Sequence, residues 1–353
     1  MYEIKAANLL SSLVSRKKQS SKLIAKSLLN DFLPNPPHGW LEKPYGEYDS
    51  DIGNYGAVTT AFCAYSLIKF VKSNTEEKLN IEIRKKLSLT FASYYSLENR
   101  GYIKKNIINK SKVFNTDLIV TLVCLNYLDI IDNRSVESRL LKELCLRCIN
   151  RTFIHQMPNG AFRYHDLSLD IPLLYQAMCT SLLISISKKI NHPYIEISYK
   201  KGSEYLLKFY NKNNFKFHWN KSKGIDKNGS IWIYGWMPNI LRTKKLFKEE
   251  EKLLNIVLKS FSDADGIIPN KIDKNLNNKP DKFYSALLKL SLDMGYPDKT
   301  IQKYKYSITK KIFINIVFSI KAFFSYIKCF YLQSIRKLSN MIYPKGALEN
   351  EKW

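Results

Sequence analysis

The sequence predicts an all-α fold, a toroid of five to six helical hairpins followed by a long C-terminal amphipathic helix. Apolar residues recur at helical spacing along most of the 353 residues. Loops that combine glycine with an aromatic residue recur between the helical patterns, and strand patterns are few. Because such hairpins cannot bury their apolar faces alone, they stack on one another, and a closed ring follows.

The repeat has a period of about 50 to 60 residues. Its loops contain Gly39, Gly101, Gly160 and Gly266, while a fourth loop, 215–219, is aromatic without glycine and alternates like a short hairpin. An apolar helical pattern follows each loop, over 55–70, 114–131, 169–190, 230–246 and 282–294. Another precedes each loop, over 6–32, 76–97, 136–154, 195–210 and 247–261. We therefore expect the long loops to share one rim and the short turns to share the other.

Two parts of the chain differ in character. Residues 1–296 carry the repeats, and 297–353 form a basic C-terminal helix and tail. A broad apolar face over 311–338 predicts one amphipathic helix, in which Lys321 interrupts the apolar run too early for a membrane span. Two interpretations stay open, an outer helix that closes the ring or an interfacial helix on anionic lipid.

Net charge is +25, which would attract a nucleic acid or an anionic membrane. The basic residues are scattered, and no Arg-rich run or RNA-type aromatic signature accompanies them. Composition therefore disfavours a nucleic-acid partner. No secretory signal is visible near the first residue, so we expect a cytoplasmic protein, with peripheral association at the inner membrane as the alternative.

Cofactor motifs are missing from the sequence. Cys145 and Cys148 form a CxxC within a helical run, but no second Cys/His pair stands at zinc spacing. The sequence also lacks a P-loop, a dinucleotide glycine fingerprint, HExxH and GxSxG. We expect no cofactor and no metal.

The repeated glycine and aromatic loop, followed by a helix that begins near an acidic residue, resembles the α/α toroids over roughly residues 20–296. That group includes six-hairpin glycosidases, terpenoid-cyclase and prenyltransferase-repeat proteins, polysaccharide lyases and polysaccharide-biosynthesis proteins. The DxDD signature of the terpenoid cyclases is absent, and Asp263-Ala264-Asp265 is only a partial echo. The resemblance implies a ligand cleft on the loop side, where the loops meet the N-termini of the inner helices.

Candidate site residues follow from the loops. Carboxylates serve as general acids and bases, and aromatic rings stack on sugars. The catalytic candidates are His165, Asp51, Asp117 and Glu47. The substrate-binding candidates are Trp40, Arg163, Tyr164, Trp219, Trp232 and Trp236. Helix capping is the alternative for Asp51, a helix-dipole contact for Asp117, a solvated loop histidine for His165 and core packing for the tryptophans.

The predicted function is the biosynthesis or processing of a surface polysaccharide, capsular or exopolysaccharide, through a glycan-binding cleft on the loop side. Lyase, hydrolase, epimerase and plain binding all stay open. Expected partners are a glycan or lipid-linked saccharide, and an anionic membrane surface through residues 311–338. The alternatives are a non-catalytic scaffold and an isoprenoid-handling enzyme. Polar, acidic loops favour sugars over isoprenoids.

Overall fold

The computed structural model describes residues 2–41, 55–99, 102–103, 113–165, 171–213, 215, 217, 232–259, 282–296, 304–305 and 327. The helices are α1 Tyr2–Val14, α2 Lys18–Asn30, α3 Ala57–Ser73, α4 Glu77–Leu97, α5 Phe114–Tyr127, α6 Val136–His155, α7 Leu173–Ser187, α8 Pro193–Leu207, α9 Ile233–Thr243, α10 Phe247–Lys259 and α11 Lys282–Gly295. The strands are β1 Glu98–Asn99, β2 Tyr102–Ile103, β3 Ile190–Asn191 and β4 Tyr304–Lys305.

The odd-numbered helices form a closed inner ring. Each packs against the odd-numbered helices before and after it, and α1 packs against α11 to complete the circle. The even-numbered helices lie outside, each against the odd-numbered helix that precedes it. Sequence explains the two layers, because α5 and α7 are buried on nearly every face while α4 and α6 keep one polar face. The protein is an α/α toroid, as predicted.

One predicted helix is in fact two. The pattern over 6–32 was expected to form a single outer helix, but the chain turns back at Arg16, which has a φ of 57°. The first half, α1, joins the inner ring, where Thr59 of α3 donates a hydrogen bond to Glu3 at 2.6 Å. The basic run after Val14 interrupts the apolar periodicity and marks the turn. The ring therefore has six inner helices in the described chain, which is within the predicted range of five to six hairpins.

An equivalent hydrogen bond ties three of the loops to the inner helix that follows. In each loop a buried residue donates its backbone N–H to the side chain of the fourth residue of that helix. The pairs are Trp40 with Thr60 at 3.0 Å, Ile103 with Asp117 at 2.7 Å and Phe162 with Gln176 at 2.7 Å. We call Thr60, Asp117 and Gln176 the clamp residues. They place these loops at the N-terminal ends of parallel inner helices, on one loop rim.

The glycines fit this arrangement where they are described. Gly39 follows α2 and adjoins Trp40, while Gly160 follows α6 and lies two residues before Phe162, so both are on the loop rim. Gly101 and Gly266 lie outside the described residues. The short hairpin expected over 215–219 is represented by a bridge between Tyr210 and Phe217.

At the opposite, short-turn rim the ring axis is filled by the end of α11. Tyr65 donates its hydroxyl to the Asp293 carbonyl at 2.8 Å, and Ser185 donates to the Met294 carbonyl at 3.1 Å. Strands β3 and β4 pair in parallel after the end of α7, which brings the C-terminal segment to this rim. Any ligand site along the axis therefore opens toward the loop rim.

The predicted helix over 311–338 lies outside the described residues except for Ile327, which is helical. Its role, as a sixth outer helix or as a membrane-binding segment, stays a prediction. None of the helices that the structure describes is both long and apolar enough to cross a bilayer.

His192 on the short-turn rim gives the fold a dependence on pH. Its Nδ1 accepts a hydrogen bond from the Tyr194 backbone N–H at 3.3 Å and its Nε2 faces Asn150 Oδ1 at 3.1 Å. An imidazole whose Nδ1 accepts must be neutral, and burial lowers the pKa of His192 from 6.5 to about 4. As pH falls below 6.5 the unfolded chain takes up this proton before the folded chain does.

We therefore expect the contribution of His192 to the free energy of unfolding to fall by about 1.4 kcal/mol for each unit by which the pH is lowered between 6.5 and 4. Urea unfolding of wild type and of His192→Asn across that range measures it. Asparagine keeps a side-chain acceptor for the helix N-terminus but does not titrate. The free energy of unfolding of His192→Asn should therefore change less with pH than that of wild type. An equal pH dependence would contradict a neutral His192 in the folded protein.

Candidate functional site

Helical geometry gives each inner helix an outward and an axial face. The clamp residues face outward, toward the loops and outer helices. Residues two positions away lie about 200° around the helix and so point toward the axis. On this basis Phe62 of α3, Asn115 of α5 and Met178 of α7 are axial residues.

Contacts within the ring confirm these directions. Phe62 packs edge-to-face against Trp232 with ring centroids 6.1 Å apart. Trp232 precedes α9, which stands opposite α3 in the ring order, so the indole reaches across the axis. Asn115 Nδ2 donates to the Met178 sulfur at 3.7 Å. We call Phe62, Asn115, Met178 and Trp232 the axial floor.

Helix α9 begins deeper in the ring than its neighbour α11. Gly235, the third residue of α9, packs against Ser291, the tenth residue of α11. Seven residues correspond to about two helical turns. Trp232 therefore lies well below the loop rim, and its partly exposed indole forms the base of the loop end of the axis.

Aromatic side chains surround the N-terminus of α7. Tyr164 lies between His165 and Tyr175, with ring centroids 5.5 and 4.8 Å away. Backbone pairing of His165 with Val113 holds this loop beside the start of α5. Tyr175 and Met178 are three residues apart on α7 and so are neighbours on its surface. We call Tyr164, His165 and Tyr175 the rim cluster; it is partly exposed, and Tyr175 lies one helical turn before Met178 of the axial floor.

Asp117 does not face this region. One carboxylate oxygen accepts the Ile103 N–H and the other pairs with Arg151 of α6. Both side chains are buried, with 0% and 6% exposed, and the Arg151 guanidinium lies 4.8 Å from the centre of the Phe114 ring. The two oxygens of Asp117 therefore fasten β2 and α6 to α5, and its catalytic role stays a prediction.

Arg163 also points away from the rim cluster. It is 2% exposed and donates from Nη2 to His155 Nδ1 at 3.1 Å. Since a guanidinium only donates, the His155 imidazole accepts at Nδ1, and its ring packs 4.9 Å from Phe114. Arg163 thus braces its own loop against α6. Its predicted role in substrate binding stays a prediction.

Two predicted stacking residues are buried. Trp40 is 0% exposed, packs against Phe32 and donates its indole N–H to the Leu28 carbonyl at 3.0 Å. Trp236 is also 0% exposed and packs beside Gly295 at the end of α11. A sugar needs an accessible ring face, so both residues serve as core in this structure. Glu47, Asp51 and Trp219 lie outside the described residues, and their roles stay predictions.

The cysteines in the described chain, including the CxxC pair, are buried and unbridged. Burial raises the pKa of the Cys124 and Cys148 thiols well above the ordinary value, so they stay protonated. Within the described ranges no group of three or more His, Cys, Asp or Glu side chains is arranged to hold a metal ion.

The arrangement offers aromatic faces with polar edges around an uncharged floor. Tyr164, Tyr175 and Trp232 present partly exposed rings, and the floor contributes one amide, Asn115. Sequence patterns indicated Tyr164, His165 and Trp232 but missed Tyr175, Phe62 and Asn115. Only the directions of the inner helices reveal that these three face the same region.

No protein-family model matches the chain, and no curated protein matches it either. Solved structures share the fold. A D-mannose isomerase aligns with a TM-score of 0.60 at 10% identity, over 83% of this chain and 86% of that chain. A glycoside hydrolase family 76 α-mannanase from Bacteroides thetaiotaomicron aligns at 0.53 and 12% identity, over 82% and 83%. An α-amylase from Clostridium perfringens aligns at 0.53 and 12% identity, over 84% and 86%. At these identities the likeness shows the fold alone.

Proposed function

We propose that this protein binds a saccharide at the loop end of the ring axis. The observation that carries the proposal is the set of partly exposed aromatic rings at the loop end of the ring, Tyr164 and Tyr175 in the rim cluster and Trp232 on the axial floor. Aromatic faces stack on the apolar faces of sugar rings, while tyrosine hydroxyls and the His165 imidazole supply polar contacts. The structural neighbours support it, since their names describe a mannose isomerase, a mannanase and an amylase.

The biological setting proposed is surface-polysaccharide biosynthesis or processing, on a free or lipid-linked glycan, in the cytoplasm and at the inner membrane face. His165 is the catalytic candidate in the rim cluster, and Glu47 and Asp51 stay catalytic candidates on the evidence of the sequence. A histidine and a carboxylate can share acid and base roles in lyase, hydrolase or epimerase chemistry.

A second candidate function is a non-catalytic glycan-binding or scaffold toroid. One observation favours it: none of the four described residues that form the axial floor is a carboxylate. Product formation from bound oligosaccharide by wild type, lost in His165→Ala, supports the enzyme. Binding without turnover supports the scaffold.

Calorimetric titration with a panel of oligosaccharides tests the binding proposal. Trp232→Ala and Tyr164→Ala should each weaken binding about tenfold or more, because losing one aromatic contact costs about 1.4 kcal/mol. Phe247→Ala is the matched control, since Phe247 is 59% exposed at the start of α10 on the other rim. Circular dichroism confirms that each variant is folded.

The proposal fails if wild type binds no saccharide of the panel. It fails equally if a folded Trp232→Ala variant and the Phe247→Ala control bind as tightly as wild type.

A further inference from the structure

The side-chain amide of Asn115 is only half satisfied. The residue is 5% exposed, and its Nδ2 donates to the weak acceptor Met178 Sδ at 3.7 Å. Its Oδ1 is buried and has no hydrogen-bond partner in the part of the chain that the structure describes. Leaving a buried carbonyl unpaired is unfavourable, so its retention needs an explanation.

The surroundings restrict what could complete it. Asn115 stands in the axial floor beside Met178, with Phe62 on the neighbouring inner helix α3, Trp232 just before α9 and no charged side chain among these four residues. A carboxylate or a phosphate presents only acceptors at neutral pH and cannot pair with Oδ1. An ammonium could donate, but it would lose its hydration in an apolar site without a counter-charge. A neutral hydroxyl donates without either cost.

We propose that Asn115 recognises a hydroxyl group of an uncharged sugar. The hydroxyl donates to Oδ1 while the sugar ring packs against Trp232. This inference rests on the proposed function and narrows it: the group that meets Oδ1 is a hydroxyl, and the axial floor offers no counter-charge for the carboxylate of a uronate or the phosphate of a sugar phosphate. A site built to pair a hydroxyl discriminates strongly against ligands that lack one there.

Asn126 offers a matched control on the same helix. It lies eleven residues after Asn115, about 20° away around the helix and therefore on the same axial face. It is equally buried, with 5% exposed, but stands at the short-turn end and donates to the Leu122 carbonyl at 2.8 Å. Leucine is close to asparagine in shape, so both substitutions to leucine change the volume little. Asn115→Leu removes an amide whose oxygen is unpaired, whereas Asn126→Leu removes an amide that makes a hydrogen bond.

Thermal unfolding with and without saccharide separates the two roles. Without ligand, Asn115→Leu should melt at a higher temperature than wild type, because an unpaired buried oxygen is removed. Asn126→Leu should melt at a lower temperature, because a made hydrogen bond is lost. In titrations with neutral oligosaccharides, Asn115→Leu should bind about tenfold more weakly or worse, while Asn126→Leu should bind as wild type does.

Three results would overturn the inference while leaving the proposed function intact. If Asn115→Leu binds the neutral sugar as tightly as wild type does, the Asn115 amide does not contribute to sugar binding. Asn115→Leu that melts below wild type shows that its oxygen is satisfied. D-Glucuronate binding as tightly as D-glucose, with the same loss in Asn115→Leu, removes the preference for uncharged sugars. A wild type that binds no saccharide ends both proposals.

Discussion

Replacement of Asp117 by alanine is expected to lower the free energy of unfolding by about 3–5 kcal/mol. Arg151 would remain buried, with 6% of its side chain exposed, without the carboxylate that now pairs with it. The Ile103 backbone N–H would also lose its acceptor. Chemical denaturation of wild type and variant measures the change.

Two further variants test the cause. Glu196→Gln removes one partner of the Glu196–Lys200 pair, whose side chains are 60% and 56% exposed, and should change stability far less than Asp117→Ala does, because solvent screens the pair. The double variant Asp117→Leu with Arg151→Met replaces the buried pair with apolar side chains and should recover most of the loss. A cost for Asp117→Ala as small as that of Glu196→Gln would contradict the clamp role.

Gly160→Ala is expected to cost about 3 kcal/mol. Gly160 has a φ of 89°, a conformation that residues with a Cβ rarely adopt, and an added Cβ would lie 2.5 Å from the Lys201 carbonyl carbon on α8. The loop cannot shift freely, because the Gly160 carbonyl accepts from Gln156 and from the clamp residue Gln176.

Lys201→Ala is the control for this prediction. The collision is with the backbone of residue 201, so truncating its exposed side chain should change little and should not rescue Gly160→Ala in a double variant. Stability of Gly160→Ala equal to wild type, or full rescue by Lys201→Ala, would show that the loop is less constrained than described.

Much of the fold was predictable because the toroid repeats one local pattern. Helical periodicity and glycine loops located each inner helix from α3 to α11 and each outer helix from α4 to α10. The turn at Arg16 was missed, since apolar residues continue on both sides of it and only the basic run after Val14 marks the break. Closure of the ring by α1 is a tertiary fact that no local pattern contains.

The site was less predictable because a helix position alone does not say which way a side chain points. In the sequence, Asp117 is like Asp51 a carboxylate near the start of a predicted inner helix. The structure makes it equivalent to Thr60 and Gln176, three different side chains that perform one task, to accept a loop N–H. Because a threonine, an aspartate and a glutamine occupy the equivalent positions, the sequence does not show that these positions repeat. The equivalent hydrogen bonds from the loop N–H groups do show it.

Tryptophan was similarly ambiguous. Trp40 and Trp232 both follow the pattern of a polar loop with aromatic residues, yet the first is buried against Leu28 and the second stands on the axis. Deciding between them requires the position of the opposite helix, which the sequence does not supply.

We propose that the saccharide binds on the axis against Trp232. Fluorine NMR of protein labelled with fluorotryptophan tests it directly, since the five tryptophans give separate signals that single Trp→Phe variants assign. On titration with a neutral oligosaccharide that binds, the Trp232 signal should shift. The Trp40 signal should stay in place, because the Trp40 indole is buried and donates its hydrogen bond to the Leu28 carbonyl. A bound saccharide that leaves the Trp232 signal unmoved would contradict the claim.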